Sequence, residues 1–219
     1  DTEIGNQVYR SNTELPIEGA LDEVITRLAS QLGGLLKSSY EYPGRYSRWA
    51  IGFVNPPLLV TAKENTVSVS ALNERGLVLM PYLVHCLNLI SEIKPIAITQ
   101  YKYDCLVESH LTNFTDGERR RQPSVFTVIR GLLRIFFSSE DNYLGLYGAL
   151  GYDLIFQFEP IEKYQDRTNE QQDIALYLPD VIIVVDNCIQ RGFKLQYELE
   201  TSYGSTVGLP RSGKLISFK

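Results

Sequence analysis

Two short segments rich in β-branched residues, joined by a polar link of three residues, constrain the fold of this chain more than any other feature. The segments cover residues 58–62 and 66–72, and the link is Lys63-Glu64-Asn65. Alternation of apolar and polar residues is typical of strands with one buried face, and so short a link joins only antiparallel neighbours. The pattern therefore predicts an antiparallel hairpin, to which residues 77–80 are predicted to add a third strand.

Apolar residues at helical spacing predict helices in three further places. The first predicted helix covers residues 21–32 and ends at a glycine pair, and the second covers residues 81–93. The third begins after Ser124, a residue type that caps helices, and ends near residue 138. Its broad apolar face predicts that it packs on a sheet.

Most of the remaining chain is predicted to be extended. The predicted strands cover residues 96–107, 144–150, 153–158, 181–186 and 193–199. Strands outweigh helices and the links are short, so we predict an α+β fold in which a mainly antiparallel sheet packs with a few helices.

Composition excludes several classes of partner. The chain has 219 residues and a net charge of -5, so it has no general electrostatic attraction for nucleic acid. No apolar run approaches the roughly 20 residues of a membrane span. The three cysteines are widely spaced and form no CxxC pair, which argues against a disulfide framework or a zinc site. These features predict a soluble, cytoplasmic protein that binds neither nucleic acid nor membrane.

A segment of mixed basic, polar and aromatic residues, 35–58, is typical of a binding loop. It contains Leu35-Leu36-Lys37-Ser38 and then, after a short insert, Gly44-Arg45-Tyr46-Ser47. This pair of motifs resembles the N-terminal region of the anthranilate synthase large subunit, where the family has LLES followed by GRYS. The insert 39–43 is similar to the variety of the enzyme in which large subunit and glutamine amidotransferase form one polypeptide.

Two later segments extend the resemblance to about residue 186. Residues 145–153, GLYGALGYD, are similar to the glycine-rich strand region of the family. Residues 178–186, LPDVIIVVD, resemble its proline-led strand that ends in aspartate. The glycines of the first segment fit close sheet packing better than a phosphate-binding loop, because the lysine of a P-loop is missing.

The resemblance implies a domain organisation. Residues 1–201 are expected to be an N-terminal regulatory domain that senses tryptophan, and residues 202–219 a tail toward a C-terminal chorismate-binding catalytic domain. The catalytic signatures of the family are not in the sequence, so we expect no catalytic residues, no metal ligands and no activity here. The expected partners are that catalytic domain, the glutamine amidotransferase domain and L-tryptophan. Mg²⁺ is expected to serve the full enzyme outside this chain, and a bared apolar face is expected to favour self-association into a homo-oligomer.

The resemblance also names candidate residues for the tryptophan site. They are Leu36, Lys37, Ser38, Arg45 and Arg48. An arginine suits the ligand carboxylate, Leu36 the indole, and backbone carbonyls the ammonium group. Lys37 stands where the family commonly has glutamate, and a cation that pointed into the site would repel the ammonium group.

Other interpretations remain open at this stage. The acidic residues Asp153, Glu159 and Asp180 fall at predicted strand ends, where turn and cap hydrogen bonds are the commoner use. The whole enzyme is alternatively another chorismate-using enzyme, such as aminodeoxychorismate synthase or a phenazine-pathway relative. From a different class, the chain is alternatively a freestanding amino-acid-binding regulatory module.

Overall fold

Two antiparallel sheets and a few helices make up the computed structural model, which describes residues 1–38, 48–108, 122–158 and 171–211. The helices are α1 (Asp22–Leu28), α2 (Glu74–Asn88), α3 (Val125–Phe136) and a short 3-10 helix (Tyr152–Gln157). The strands are β1 (Gln7–Leu15), β2 (Gly33–Lys37), β3 (Trp49–Val54), β4 (Leu58–Lys63), β5 (Thr66–Ala71), β6 (Ile93–Ile98), β7 (Lys102–Val107), β8 (Tyr147–Leu150), β9 (Ile174–Leu178), β10 (Val181–Asp186), β11 (Arg191–Thr201) and β12 (Gly204–Ser205). The predicted α+β fold is confirmed.

The order of the strands brings distant parts of the sequence together. The first sheet has the order β1-β11-β10-β3-β2, with β12 paired to β11, and the second has the order β6-β7-β5-β4-β9-β8. Strand β1 pairs with β11 from Gln7↔Glu200 to Leu15↔Gly192. Strands β2 and β8 each lie at an edge of their sheet.

Two apolar cores hold these layers together. The larger core joins the inner faces of both sheets to α2 and α3 and includes Val69, Leu83 and Leu132, each nearly inaccessible to solvent. The smaller core lies under α1, where Leu21 and Val24 pack on the other face of the first sheet. The first sheet is therefore covered on both faces, which explains the continuous apolar run of β10.

Several predicted elements are confirmed. The hairpin β4-β5 has the register Lys63↔Thr66, and Glu64 adopts a φ of 52° in its tight turn. Helix α3 follows Ser124, whose backbone N–H donates to Thr127 Oγ1 at 3.2 Å. Strands β10 and β11 also occupy their predicted positions.

The predicted strand at 77–80 is wrong, because these residues belong to the first half of α2. Asn73 caps this helix: its side-chain oxygen accepts a hydrogen bond from the Gly76 N–H at 3.1 Å. Pro81 lies inside the helix instead of at its start. The apolar run at 77–80 is by itself compatible with a strand. The N-cap at Asn73 starts a helix that continues through these residues.

Three further predictions are corrected in their bounds or type. The first predicted helix ends at Leu28, and the glycine pair after it begins β2. The predicted strand at 96–107 is a hairpin of β6 and β7, with the Thr99 N–H donating to the Lys102 carbonyl at 2.8 Å. Residues predicted as a strand at 153–158 fall mostly in the 3-10 helix, where only Leu154 is buried.

The sequence patterns missed β1, β2, β3, β9 and β12, and β8 is shorter than the predicted strand at 144–150. The interpretation of residues 35–58 as a loop is therefore wrong for the residues in β2, in β3 and at the start of β4. Strand β1 is exposed along most of its length, so it has no apolar alternation to reveal it. Its position depends on its nine paired residues on β11.

Close packing of β8 against β9 depends on Gly148. A Cβ atom at this position would lie 2.0 Å from the carbonyl oxygen of Ala175, whereas one at Gly145 would have nothing within 4 Å. The interpretation of this glycine as a packing residue is confirmed.

We expect Gly148→Ala to destabilise the fold by about 1–3 kcal/mol, because the backbone of β9 must move to admit the methyl group. Gly145→Ala is the matched control, and it should leave stability unchanged or slightly raised. Urea denaturation of the three proteins measures the difference. Equal midpoints for both variants would contradict the close approach.

A buried arginine joins the N-terminus of α2 to β11 and the segment after it. The guanidinium of Arg75 donates to the Asp180 carboxylate, to Glu198 Oε2 at 2.9 Å, and to the carbonyl of Tyr197 at 2.9 Å. It also donates to the carbonyls of Thr206 (2.9 Å) and Leu209 (3.1 Å). We call Arg75, Asp180, Glu198 and Arg211 the arginine cluster.

Arg75→Met should destabilise the protein by about 3–5 kcal/mol, because it leaves the buried carboxylate of Asp180 with fewer partners. Arg134→Met is a suitable control, since Arg134 forms an ion pair with Glu3 in which both side chains are more than half exposed. Its loss should cost at most about 1 kcal/mol. Similar losses for the two variants in chemical denaturation would contradict a central role for Arg75.

Candidate functional site

The LLKS residues lie at the end of an edge strand. Leu36 and Lys37 are the last two residues of β2, and Ser38 follows them. Leu36 pairs with Ile51, which packs on the large core, whereas Lys37 pairs with Ala50, which packs under α1. Because successive side chains of a strand point to opposite faces, Leu36 is directed toward the inner face and Lys37 toward the α1 face.

Arg48 leads into the neighbouring strand β3 and is held by an aspartate. Its Nε lies 3.3 Å from both carboxylate oxygens of Asp186, and its Nη2 lies 3.1 Å from Asp186 Oδ2. The Asp186 carboxylate also accepts the backbone N–H of Cys188 at 2.9 Å. Asp186 is 1% exposed and the Arg48 side chain 51%, so one partner anchors the other at the surface.

These hydrogen bonds control the ionisation of the pair. Burial by itself raises the pKa of Asp186, but the hydrogen bond from Arg48 and those from the backbone beyond it outweigh burial, and the pKa is lowered. The same hydrogen bond raises the pKa of Arg48. The two groups are therefore a stable ion pair at neutral pH.

An aromatic cluster continues the site toward the second sheet. The Arg48 guanidinium carbon lies 4.4 Å from the centre of the Trp49 ring, and Trp49 meets Tyr143 edge-on at 5.9 Å. This geometry suits a cation–π contact and an aromatic pair. Trp49 remains 39% exposed, so part of its ring is available to a ligand or partner.

The LLKS strand and the glycine-rich segment meet at Phe53. Its ring centre lies 5.9 Å from that of Tyr147 on β8, and a Cβ atom on Gly34 would lie 2.9 Å from the same ring. Burial raises the pKa of Tyr147 to about 12, and its hydroxyl donates to the Tyr143 carbonyl. Two segments that are far apart in the sequence therefore lie at one side of the molecule.

Metal-ligating side chains are not clustered in the described part of the chain. Among those residues, no three His, Cys, Asp or Glu side chains are arranged to hold a metal ion. The carboxylates of Asp180 and Asp186 instead form ion pairs with arginines.

No helix within the described ranges is long and apolar enough to span a membrane. The three cysteines are free thiols.

Comparison with known proteins gives consistent relatives. The chain is 40% identical over 210 residues to the Azospirillum brasilense protein named anthranilate synthase, a match that covers 96% of this chain and 29% of that protein. It is 29% identical over 178 residues to anthranilate synthase component 1 of Serratia marcescens, covering 76% of this chain and 32% of that protein. A component 1 from Buchnera aphidicola is 24% identical over 159 residues. No family model matches.

The chain belongs to the anthranilate synthase component 1 family. The resemblance carried by the LLKS and glycine-rich motifs is thereby confirmed. The chain spans between 29% and 32% of the length of these anthranilate synthase relatives.

The structure brings four of the five predicted anthranilate synthase site residues to one end of the β2-β3 hairpin. Leu36, Lys37 and Ser38 lie at the end of β2, and Arg48 at the start of β3. Arg45 lies outside the described residues. Sequence reasoning missed Asp186 as the partner of Arg48, although its position at the end of an apolar run was a signal that it closes a buried strand.

Asp186→Asn should destabilise the protein at neutral pH, because it weakens the bond to Arg48. The folded pKa of Asp186 lies below the usual value of 3.8, so its stabilising contribution is present above that value and is lost as the pH falls through the folded pKa. The stability gap between wild type and variant should therefore close in acid. Urea denaturation at neutral and acidic pH measures this gap.

The control for this experiment is Glu14→Gln, which removes an exposed ion pair with Arg191 at 3.6 Å. Its effect should be small at every pH. A gap for Asp186→Asn that persists unchanged into acid would show that the carboxylate charge is not the stabilising feature.

Proposed function

We propose that this chain is the tryptophan-sensing regulatory part of an anthranilate synthase. The full enzyme would form anthranilate and pyruvate from chorismate and glutamine, in tryptophan biosynthesis. The observation that carries the proposal is the 40% identity, over 96% of this chain, to a protein named anthranilate synthase. We further propose that the chain by itself turns over no chorismate, since it spans less than a third of that relative.

The tryptophan site that we propose lies on the inner side of the β2-β3 hairpin. Leu36 is 44% exposed, which leaves apolar surface to pack against an indole ring. Among the described strands β2 pairs only with β3, so backbone carbonyls on its other edge can accept from the ligand ammonium. Ser38 adds a hydroxyl that donates or accepts at the same end.

The role of Arg48 in this site is positioning. Its charge is balanced by Asp186, so a ligand carboxylate gains less from it than from an unpaired guanidinium. Arg48 instead fixes the end of β3 and stacks on Trp49. We therefore assign the ligand carboxylate to Arg45, which belongs to the GRYS motif three residues before Arg48 in the sequence.

The direction of Lys37 bears on whether tryptophan binds. Lys37 pairs with Ala50 on the face opposite to Leu36, so its ammonium group is directed away from the proposed site. The expected repulsion of the ligand ammonium is then weak. Lys37 in place of glutamate is compatible with feedback inhibition.

The rest of the polypeptide completes the enzyme in this proposal. Exposed apolar side chains cluster around β8 and the 3-10 helix: Leu150, Tyr152, Ile155 and Phe158. A surface of this kind is typical of an interface, and we propose that the chorismate-binding domain covers it. We also propose that this domain holds the magnesium ion, since the described residues of this chain include no cluster of three His, Cys, Asp or Glu side chains.

A glutamine amidotransferase fused in the same polypeptide is also part of the proposal. A match of 210 residues covers only 29% of the Azospirillum protein, whereas 159 residues cover 30% of the Buchnera component 1. The Azospirillum protein is therefore considerably longer, as a fused domain requires. The insert between the LLKS and GRYS motifs supports the same type.

Inhibition in this proposal follows from linkage between two sites. Tryptophan bound at the hairpin favours a state of the full enzyme that binds chorismate poorly, and chorismate must oppose tryptophan binding to the same degree.

A second candidate, another chorismate-using enzyme, has no support in the names of the three relatives. A cytoplasmic location remains a prediction from composition.

Calorimetric titration with L-tryptophan tests the proposal on this chain and on the full encoded polypeptide, with L-phenylalanine as the ligand control. We expect tight tryptophan binding only by the full polypeptide, because we propose that the chorismate-binding domain contributes part of the indole slot. Leu36→Ala should weaken that affinity roughly tenfold through lost apolar contact. The same samples should form anthranilate, detected by its fluorescence, only when the catalytic domain is present.

Two variants serve as controls in the titration. Leu32→Ala removes a leucine of similar exposure outside the site and should leave the affinity unchanged. Lys37→Glu should change it by less than about threefold, because this residue is on the other face. If neither protein binds tryptophan, the proposed site is refuted. Tight binding by the isolated chain would favour a freestanding module. Anthranilate formation by the isolated chain would refute the regulatory assignment.

A further inference from the structure

A cleft lies between helices α2 and α3. Its volume is about 470 Å³, and residues of the turn between β11 and β12 form one of its walls. Small-molecule sites in proteins typically have volumes of roughly 300–1,000 Å³. None of the residues that line this cleft belongs to β2 or β3.

The floor of the cleft is apolar and closely packed. A Cβ atom on Gly131 would lie 2.9 Å from side-chain atoms of both Leu87 and Ile90, so α2 and α3 approach closely at this point. Ile135, one turn further along α3, is buried beside it. Such a floor excludes water from beneath a flat ligand without offering it hydrogen bonds.

Aromatic side chains form one wall. The ring of Tyr203 lies 5.4 Å from that of His85, at 30°, and 5.6 Å from that of Tyr82, at 49°. Tyr203 is 53% exposed although it is a large aromatic residue, so its ring has a free surface. Burial raises the pKa of Tyr82, which keeps its hydroxyl neutral at physiological pH. The wall offers planar surfaces of the kind that stack on an aromatic ring.

An arginine that forms an exposed ion pair lies at the rim of the cleft. Arg134 lines it and bonds through Nε to Glu3 Oε1 at 2.9 Å, with both side chains more than half exposed. An exposed pair of this kind is weak, so a bound anion can replace the glutamate. Neither this glutamate nor any other carboxylate is among the described residues that line the cleft, and Glu200 lines a separate depression that adjoins it at Tyr82.

We propose that the cleft between α2 and α3 binds a small planar aromatic carboxylate, with its ring against Tyr203 and His85 and its carboxylate on Arg134. The apolar floor accepts the ring edge, the aromatic wall accepts its face, and the guanidinium fixes the charged end. This site is independent of the proposed tryptophan site, because the two share no residue. The ligand class follows from these three surfaces together.

The test is a titration of the full encoded polypeptide and of this chain with 2-naphthoate, followed by NMR of the Gly131 amide and by calorimetry. We expect saturable binding with a Kd between roughly 10 μM and 1 mM. The neutral 2-naphthamide has the same ring without the charge and should bind roughly tenfold more weakly.

Two pairs of variants locate the site. Arg134→Gln and Tyr203→Ala should each weaken 2-naphthoate binding roughly five- to tenfold, and both alter exposed side chains that the fold tolerates. Arg191→Gln removes a comparable exposed ion pair, and Tyr9→Ala a tyrosine of similar exposure, and neither residue lines the cleft. Thermal unfolding of each variant confirms that it is folded.

The expected result is that only the first pair of variants loses affinity and that the Gly131 amide shifts on binding. Absence of saturable binding, equal affinity for the naphthamide, or equal losses for the control variants would each overturn the proposal. L-tryptophan binding is tested separately with the Leu36 variant. If 2-naphthoate does not bind, the proposed tryptophan site is unaffected, and if L-tryptophan does not bind, the proposed cleft site is unaffected.

Discussion

The rest of the structure depends on the buried guanidinium of Arg75. It is 1% exposed and bonds to groups from three separate parts of the chain: the turn before β10, strand β11 and the segment 206–209. Burial of such a group is costly unless every donor is satisfied. Here the surrounding carbonyls and carboxylates satisfy it, so its neighbours are held in one arrangement.

Arg211 extends this cluster to the end of the described chain. Its guanidinium donates to Glu198 Oε1 at 2.5 Å and to Asp180 Oδ2 at 3.2 Å, and its carbonyl accepts from Asn55 Nδ2 at 2.8 Å. Burial raises the pKa of Asp180 and the two arginines oppose it, with a net shift upward. The segment after β11 is thus bound to the core of this domain.

One strand connects this cluster to the candidate site. Strand β10 begins next to Asp180, in the arginine cluster, and ends at Asp186, which holds Arg48. Because β10 lies in the middle of its sheet and is covered on both faces, the two ends cannot shift independently. The position of the β2-β3 hairpin is therefore set by the same framework that anchors the segment after β11.

Local sequence rules predicted the correct element where the segment itself contains the residues that determine its structure. The β4-β5 hairpin has a short polar link, α3 has a cap and a continuous apolar face, and β10 is a single apolar run. These rules failed where residues outside the segment determine its secondary structure. Strand β1 has no apolar alternation and exists through its pairing with β11, and residues 77–80 follow the helix that Asn73 starts.

The sequence by itself determined the family, through motifs that are local in the chain, and it placed the candidate residues near Leu36 and Arg48. The tertiary structure alone decided how they are used: that Lys37 faces away from Leu36, that Arg48 is paired with Asp186, and that Arg75 is buried. The physical reason is range. Propensity, capping and periodicity act over a few residues, whereas ion pairing and sheet register join residues more than a hundred positions apart, and only the folded chain fixes those distances.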